Sequence, residues 1–189
     1  MTDNQYIAKD YLTSFLGGYS SDAYKFMGAH RAEMFGKNGV VFRVWAPNAK
    51  YVSVVGDFNN WDNDANPMGK IDECGIWECF IADVIDNMSV YKYCVETAWG
   101  DRILKADPYA FFSEYRPSTA SKIFNIEGFK WADKRWLNKR TKNFDKLLNI
   151  YEAHLGSWQI KKDSSDGQDV QYYSYDEMID KIKNPTTVK

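Results

Sequence analysis

The chain has 189 residues, a formal net charge of −2 and a pI of about 5.7. Hydrophobic residues make up 44% and charged residues 26% of it, the proportions of a folded globular protein rather than a disordered one. No basic patch suited to phosphates is visible, so we expect no nucleic-acid partner. No uncharged run approaches the roughly 18 residues of a membrane span, so we expect no membrane partner.

The amino terminus and the cysteines favour a cytoplasmic location. Residues Met1 to Leu12 include acidic side chains and lack the apolar stretch of a secretion signal. The chain has three cysteines, Cys74, Cys79 and Cys94. An odd number without a CxxC pair favours free, buried thiols in a reducing compartment. Because His30 and His154 are the two histidines, we expect no metal site, and nothing in the sequence indicates a cofactor.

The elements begin with a helical segment and continue as strands. Residues 1–38 predict two short helices, at Asp10–Leu16 and Asp22–Met27, separated by Gly17-Gly18. From Gly39 the periodicity changes to two, and strands are predicted at 39–46, 51–55, 76–81, 90–96, 102–105 and 122–126. Tyr91 and Tyr93 share one face of the 90–96 strand, and Lys92 lies on the other. Short strands separated by Gly, Pro, Asn and Asp predict an all-β-dominated, immunoglobulin-like β-sandwich over 39–127.

The pattern changes again after Gly128. Residues 128–146 are interpreted as a linker with a polar, basic helix near Trp131–Arg140. An apolar strand is predicted at Leu147–Leu155. The sequence from Ser174 to Glu177 is a capping box that opens a helix through about Lys183, and Asn184-Pro185 ends it. Residues 147–189 therefore predict one strand followed by one helix.

The stretch from Gly56 to Trp61 suggests a binding site. It follows a strand and ends in an indole beside two amides, which could stack on a sugar ring and hydrogen-bond its hydroxyls. Trp61 could instead cap the sandwich core, and turn chemistry could explain Asn59 and Asn60 equally well. Trp45 and Trp77 lie within strands, so we assign them to the core or to a domain interface.

Several motifs together resemble the N-terminal module of bacterial glycogen branching enzymes, which belongs to carbohydrate-binding module family 48. The motifs are Phe42–Ala49 and Val54–Trp61, followed by Leu104–Ala110 and Arg116–Ser121. Tyr151–Trp158 resembles the entry to the α-amylase-type (β/α)₈ barrel. The resemblance covers roughly residues 20 to 180, in the order that the family has.

The resemblance implies glycogen or linear α-1,4-glucan as the partner. In glycogen-sensing relatives, a lysine in a Tyr-Lys-Tyr/Phe motif and a tryptophan several residues later complete the glucan site. The implied glucan-binding residues are Trp61, Lys92, Trp99, Asn60 and Thr119. Ser121 stands where a relative has Asn, which weakens one hydrogen bond of the analogy. Lys92 could instead be a solvated strand lysine, and Trp99 a plug against the barrel.

The resemblance also implies that catalysis lies elsewhere. In the family the strand at 147–155 is the first of eight, and the catalytic carboxylates come from later strands of a barrel of about 250 residues. We therefore predict no catalytic residue, and residues 147–189 are interpreted as a truncated start of the barrel. The complete enzyme transfers α-1,4-glucan segments to form α-1,6 branches without a cofactor. The expected function is glucan binding without catalysis; the alternative is a structural module that packs on the missing barrel and positions the donor chain.

Overall fold

The structure is a computed structural model that describes residues 12–71, 73–84, 88–141, 145, 147, 149–161 and 172–183. The chain divides into two compact units, Met1–Lys130 and Trp131–Lys189. The strands of the first unit are β1 (Gly28–Met34), β2 (Lys37–Trp45), β3 (Tyr51–Gly56), β4 (Gly69–Lys70), β5 (Ile76–Ala82), β6 (Val90–Glu96), β7 (Arg102–Lys105), β8 (Phe112–Ser113) and β9 (Ser121–Lys122).

These strands form two antiparallel sheets. The first sheet has the order β1-β2-β5-β4. The second has the order β3-β6-β9-β8, and β7 also pairs with β6. Each edge of β6 is therefore occupied, with β3 on one side and with β9 and β7 in succession on the other. The predicted β-dominated sandwich is confirmed.

The core lies between the sheets and follows the alternation of the strands. Tyr91 and Tyr93 of β6 are fully buried, whereas Lys92 between them is half-buried on the opposite side. Phe42 of β2 packs edge-on against Tyr91, with ring centroids 5.1 Å apart. Val52 and Val54 of β3 complete this part of the core, as the period of two predicts.

A buried carboxylate organises the hydroxyl groups of the two core tyrosines. Asp107 Oδ2 accepts hydrogen bonds from Tyr91 Oη at 2.6 Å and Tyr93 Oη at 3.1 Å, and Asp107 Oδ1 accepts one from Tyr109 N at 2.8 Å. The side chain of Ser121 accepts the backbone N–H of Asp107 at 2.8 Å. Desolvation raises the pKa of Asp107, although the hydrogen bonds that it accepts oppose this shift.

Strand β1 differs from the sequence prediction. Residues Gly28–Met34 pair with β2 through the two-residue turn Phe35-Gly36, at φ 55° and 71°. The prediction of a helical segment up to residue 38 is therefore wrong for these residues. Ala, Arg, Glu and Met are good helix formers, so local propensity favoured a helix, while pairing with β2 determined the structure.

The described N-terminal residues pack beside the sandwich. Residues 12–16 are helical and form α1, and Ala23–Lys25 form a 3₁₀ turn. The predicted helices are thus confirmed in part, although residues 10 and 11 lie outside the described residues. Phe15 contacts the Trp45 ring edge-on at 5.9 Å, and the Trp45 indole N–H donates to the Cys74 carbonyl at 3.0 Å. Trp45 remains half exposed, whereas Trp77 is a core residue.

The second unit contains three short helices among its described residues, α2 (Lys134–Lys139), α3 (Leu155–Trp158) and α4 (Tyr175–Lys183). The helix predicted near Trp131–Arg140 is confirmed as α2. Helix α4 begins with the predicted capping box: Glu177 Oε2 accepts the Ser174 N–H at 2.7 Å, and Ser174 Oγ accepts the Glu177 N–H at 3.3 Å. The predicted stop at Asn184-Pro185 lies outside the described residues.

The strand predicted at Leu147–Leu155 is wrong for the described part of that stretch. Residues 147 and 149–154 have no strand structure, and Leu155 begins α3. A strand is stable only when a neighbour accepts and donates its backbone hydrogen bonds. In the described part of this unit, the pairing is one isolated bridge between Ile160 and Tyr172.

The three cysteines form no disulfide, as predicted, but their burial differs. Cys94 is buried, Cys79 is half-buried and Cys74 is exposed, so the prediction of buried thiols is wrong for Cys74. Burial raises the pKa of Cys79 to about 12, which leaves that thiol protonated and unreactive at neutral pH. Within the described ranges, none of the helices has the length and apolarity needed to cross a bilayer.

Candidate functional site

The second sheet has one side that faces away from the core, which we call the outer face. It bears Lys92 and Glu96 of β6 and, on the neighbouring strand β7, Arg102 and Leu104. The register Glu96–Arg102 and Cys94–Leu104 places these side chains on the same side. Because Tyr91 and Tyr93 point into the core, Lys92 must point outward.

Lys92 and Thr119 are brought together on this face. The Lys92 ammonium donates a hydrogen bond to Thr119 Oγ1 at 2.8 Å. Thr119 is exposed and comes two residues before β9, which pairs with the start of β6. Since an ammonium has three donors, Lys92 retains hydrogen-bonding capacity beyond this contact.

The loop after β3 is shaped by Asn59. Its side-chain oxygen accepts the Gly56 N–H at 2.9 Å, and its amide nitrogen donates to the Val54 carbonyl at 2.8 Å and to Asn66 Oδ1 at 2.7 Å. Turn chemistry therefore explains Asn59. Its neighbour Asn60 is exposed and has a left-handed backbone with φ 52°, a conformation that Asn tolerates.

Trp61 lies at the surface and outside the core cluster. The residue is 37% exposed, and its indole N–H donates a hydrogen bond to Asp57 Oδ1 at 3.1 Å. The other oxygen of Asp57 accepts the Val90 N–H at 3.2 Å, so the indole is tied to the start of β6. Trp61 also has φ 60°, an uncommon backbone conformation for a bulky residue.

Trp99 lies in the turn between β6 and β7. The turn is closed by bonds from Thr97 N to the Asp101 carbonyl at 2.9 Å and from Gly100 N to the Thr97 carbonyl at 3.1 Å. The Trp99 side chain is 88% exposed. An indole presented to solvent on a closed turn provides a flat apolar surface without prior rearrangement.

The two tryptophans lie in loops at opposite ends of β6. The loop with Trp61 follows Gly56, which pairs with Tyr91, while the turn with Trp99 follows Glu96. The loop that contains Trp61 then returns along the outer face, where the Asn63 carbonyl accepts a hydrogen bond from the Ser53 hydroxyl. The structure thus joins Lys92 with Thr119, and among the described residues no ring contact joins the two indoles.

Two features of this region differ from the sequence reasoning. Ser121 is 1% exposed and bonded to Asp107, so it belongs to the core rather than to the outer face. Sequence reasoning also missed Arg102, which contacts Asp64 and Glu96. The Glu96–Arg102 pair could have been expected across a short turn, but Asp64 lies too far away in sequence to produce a local pattern.

Comparison with known proteins identifies the family of this sandwich. Residues 26–110 match the family Carbohydrate-binding module 48 (Isoamylase N-terminal domain). These residues form a family 48 module. The matched segment includes Trp61, Lys92 and Trp99, but it ends before Thr119.

The wider chain is similar to branching enzymes. It is 46% identical over 163 residues to the 1,4-alpha-glucan branching enzyme GlgB of Bacillus mycoides, covering 85% of this chain and 24% of that enzyme. For the enzyme of Fusobacterium nucleatum the identity is 46% over 167 residues, covering 88% of this chain and 26% of the relative. The chain therefore spans about a quarter of the length of these curated relatives, and the resemblance to branching enzymes is confirmed.

A solved structure of a pullulanase is also similar to part of the chain. The pullulanase from Bacillus acidopullulyticus is 25% identical, covering 52% of this chain and 12% of that one, with a TM-score of 0.42.

Proposed function

We propose that the family 48 module binds α-1,4-linked glucan on the outer face, and that the chain acts as the N-terminal region of a 1,4-alpha-glucan branching enzyme. In this proposal the catalytic step belongs to a barrel that the relatives' additional length would supply. The observation that carries the proposal is the Lys92–Thr119 pair on the sheet, with exposed Trp99 and partly exposed Trp61 in the adjoining loops.

The chemistry of these side chains suits a sugar polymer. An indole offers a flat apolar surface for the C–H face of a glucose ring. The Lys92 ammonium and the Thr119 hydroxyl offer hydrogen bonds to sugar hydroxyls, and the exposed amide of Asn60 offers more. A shallow surface of this kind suits repeated weak contacts along a chain rather than enclosure of a single sugar.

The test is calorimetric titration of the full chain with maltoheptaose and, separately, affinity electrophoresis in gels loaded with glycogen. Trp61→Ala and Trp99→Ala should each weaken binding by about ten-fold, since loss of a stacking ring costs on the order of 1.4 kcal/mol. Trp131→Ala is the matched control, because Trp131 is 76% exposed but lies in the second unit.

Equal affinities for the wild type, Trp61→Ala and Trp99→Ala would refute the proposed surface. A wild-type chain that migrates unchanged at saturating glycogen would refute glucan binding by this chain altogether. Equal losses in all three variants would also contradict the proposal, because Trp131 lies outside the module.

A second candidate function is that the chain packs on the catalytic barrel and positions its donor chain. The observation that favours it is the exposure of large apolar side chains in the second unit, including Trp131 at 76%, Ile150 at 83% and Tyr151 at 78%. Exposed apolar side chains in such numbers mark interaction surfaces or aggregation-prone ones. Light scattering should then show concentration-dependent self-association of the chain, and a monomer at every concentration would count against this function.

A further inference from the structure

An ion-pair network on the outer face connects the loop of Trp61 with the turn of Trp99. Arg102 Nη1 lies 2.8 Å from Asp64 Oδ1, and Arg102 Nε lies 3.1 Å from Glu96 Oε2. The guanidinium carbon also lies 5.1 Å from the ring centre of Tyr51, so the plane of the cation is supported from the sheet. Two carboxylates from different segments therefore share one guanidinium.

On one side of the network, the backbone fixes Asp64 relative to Trp61. Trp61 N donates to the Gly56 carbonyl at 3.0 Å, and Asp62 N donates to the Asn59 carbonyl at 3.1 Å. Asp64 N in turn donates to Asp62 Oδ1 at 2.9 Å. Consecutive local bonds of this kind make the segment from Trp61 to Asp64 a compact turn, which links the position of Asp64 to that of the Trp61 backbone.

On the other side, the hairpin fixes Arg102 relative to Trp99. Glu96 and Arg102 are directly paired in the β6–β7 register, and the bonds of the Thr97–Asp101 turn close the chain between them. Trp99 lies in the middle of this turn. The position of the Arg102 side chain is therefore linked to the position of the second indole.

We infer that Arg102 is a positioning residue for glucan binding: its ion pairs to Asp64 and Glu96 hold the Trp61 and Trp99 indoles at a fixed separation. Arginine suits this role, because its planar fork can contact two carboxylates at once, which the single ammonium of lysine does less well. The inference rests on the proposed function, since it concerns how the same two rings are placed.

A fixed separation matters only to a ligand that reaches both rings. A long glucan that contacts one indole meets the second without an additional ordering cost when the loops are already held in place. A disaccharide covers one ring at a time and gains nothing from the spacing. The network should therefore favour long chains over short ones.

The test compares maltoheptaose with maltose on the full chain, by calorimetry for the heptasaccharide and by NMR titration for the disaccharide. Arg102→Ala and Asp64→Ala should each lower the affinity for maltoheptaose about five-fold and leave that for maltose unchanged. Arg102→Lys should recover part of the loss. Lys25→Ala is the control, because Lys25 forms an exposed ion pair with Asp22 at 2.9 Å in the N-terminal segment.

Ionic strength provides a second readout that simple loss of stability would not produce. Both ligands are uncharged, so salt should not act on a direct contact with the sugar. Exposed ion pairs are screened by salt, and raising the concentration to about 1 M should lower the wild-type affinity for maltoheptaose toward that of Arg102→Ala. The Arg102→Ala variant itself should respond little.

Two results would overturn the inference while leaving the proposed function intact. One is unchanged maltoheptaose affinity in Arg102→Ala and Asp64→Ala while Trp99→Ala still loses binding. The other is an equal loss for both sugars, which would indicate damage to the module rather than altered spacing. A wild-type chain that binds neither sugar would overturn the proposed function, and this inference with it.

Discussion

Asp107 is the buried carboxylate on which two core tyrosines depend. Its removal takes an acceptor from each of the two hydroxyl groups: Tyr91 Oη loses its bond at 2.6 Å, whereas Tyr93 Oη keeps the Arg43 carbonyl at 3.3 Å. We expect Asp107→Ala to lower the free energy of unfolding of the first unit by about 2–4 kcal/mol. Urea denaturation followed by near-ultraviolet circular dichroism measures this loss. Asp101→Ala, at an exposed turn position, should stay within about 0.5 kcal/mol of the wild type, and similar losses in both variants would contradict the account.

The Asp107 carboxyl also predicts the direction in which stability changes with pH. Burial raises the folded-state pKa of Asp107 above the ordinary value of 3.8, so the folded state binds the proton more tightly than the unfolded state does. This contribution to stability is fully present below pH 3.8 and is lost as the pH rises through the folded-state pKa. Wild-type stability should therefore rise relative to that of Asp107→Asn as the pH falls from 7 toward 4. Denaturation curves recorded at each pH unit measure this difference. A wild type that loses stability relative to Asp107→Asn as the pH falls would contradict the prediction.

The capping box at the start of α4 should determine the stability of that helix. Ser174 Oγ accepts a hydrogen bond from the Glu177 backbone N–H, and the Glu177 carboxylate accepts one from the Ser174 backbone N–H. Lys161 Nζ donates to the same carboxylate at 2.7 Å. Ser174→Ala should lower the stability of the helix by about 1 kcal/mol, because its first turn loses a hydrogen-bond acceptor. Amide exchange in residues 175–178 should then become faster. Ser174→Asp should preserve protection, since Asp is an equally good cap, and equal exchange in both variants would contradict the role of the cap.

Sequence reasoning predicted the strands in which buried and exposed residues alternate clearly. It missed β1, which depends on pairing with a neighbouring strand. In β6, alternation between the buried tyrosines and Lys92 fixes both the strand and its two faces. In β1, helix-forming residues obscure a strand that pairing with β2 stabilises. The strand predicted at 147–155 failed for the opposite reason, because an apolar sequence with strand propensity does not form a strand without a neighbour.

The candidate site was predictable in part for similar reasons. The motif of Trp61 and the alternation at Lys92 are local, so the sequence indicated both. The Asn59 bonds are also local, and turn chemistry already offered an explanation for that residue. The contact between Asp64 and Arg102 joins residues 38 positions apart, and no local pattern encodes it. Whether these residues bind glucan remains a prediction for the experiments above.

The division of the chain into two units predicts that the first unit binds the sugar without the second. The sheets, the core cluster and the outer face all lie within Met1–Lys130. A chain ending at Lys130 should therefore keep its affinity for maltoheptaose within about two-fold and should self-associate less, because the exposed apolar side chains of the second unit are removed. Calorimetry and light scattering on the two chains measure both quantities. Loss of sugar binding on truncation would show that the second unit contributes to the site.

The most direct test of glucan binding by the outer face is an NMR titration of the isotope-labelled chain with maltoheptaose. Chemical shift changes should concentrate at the indole N–H groups of Trp61 and Trp99 and at the amides of Lys92 and Thr119. Strands β1 and β2 of the opposite sheet should stay unchanged. Shifts centred on those strands or on the second unit, or no shifts at saturating sugar, would contradict the assignment of glucan binding to the outer face.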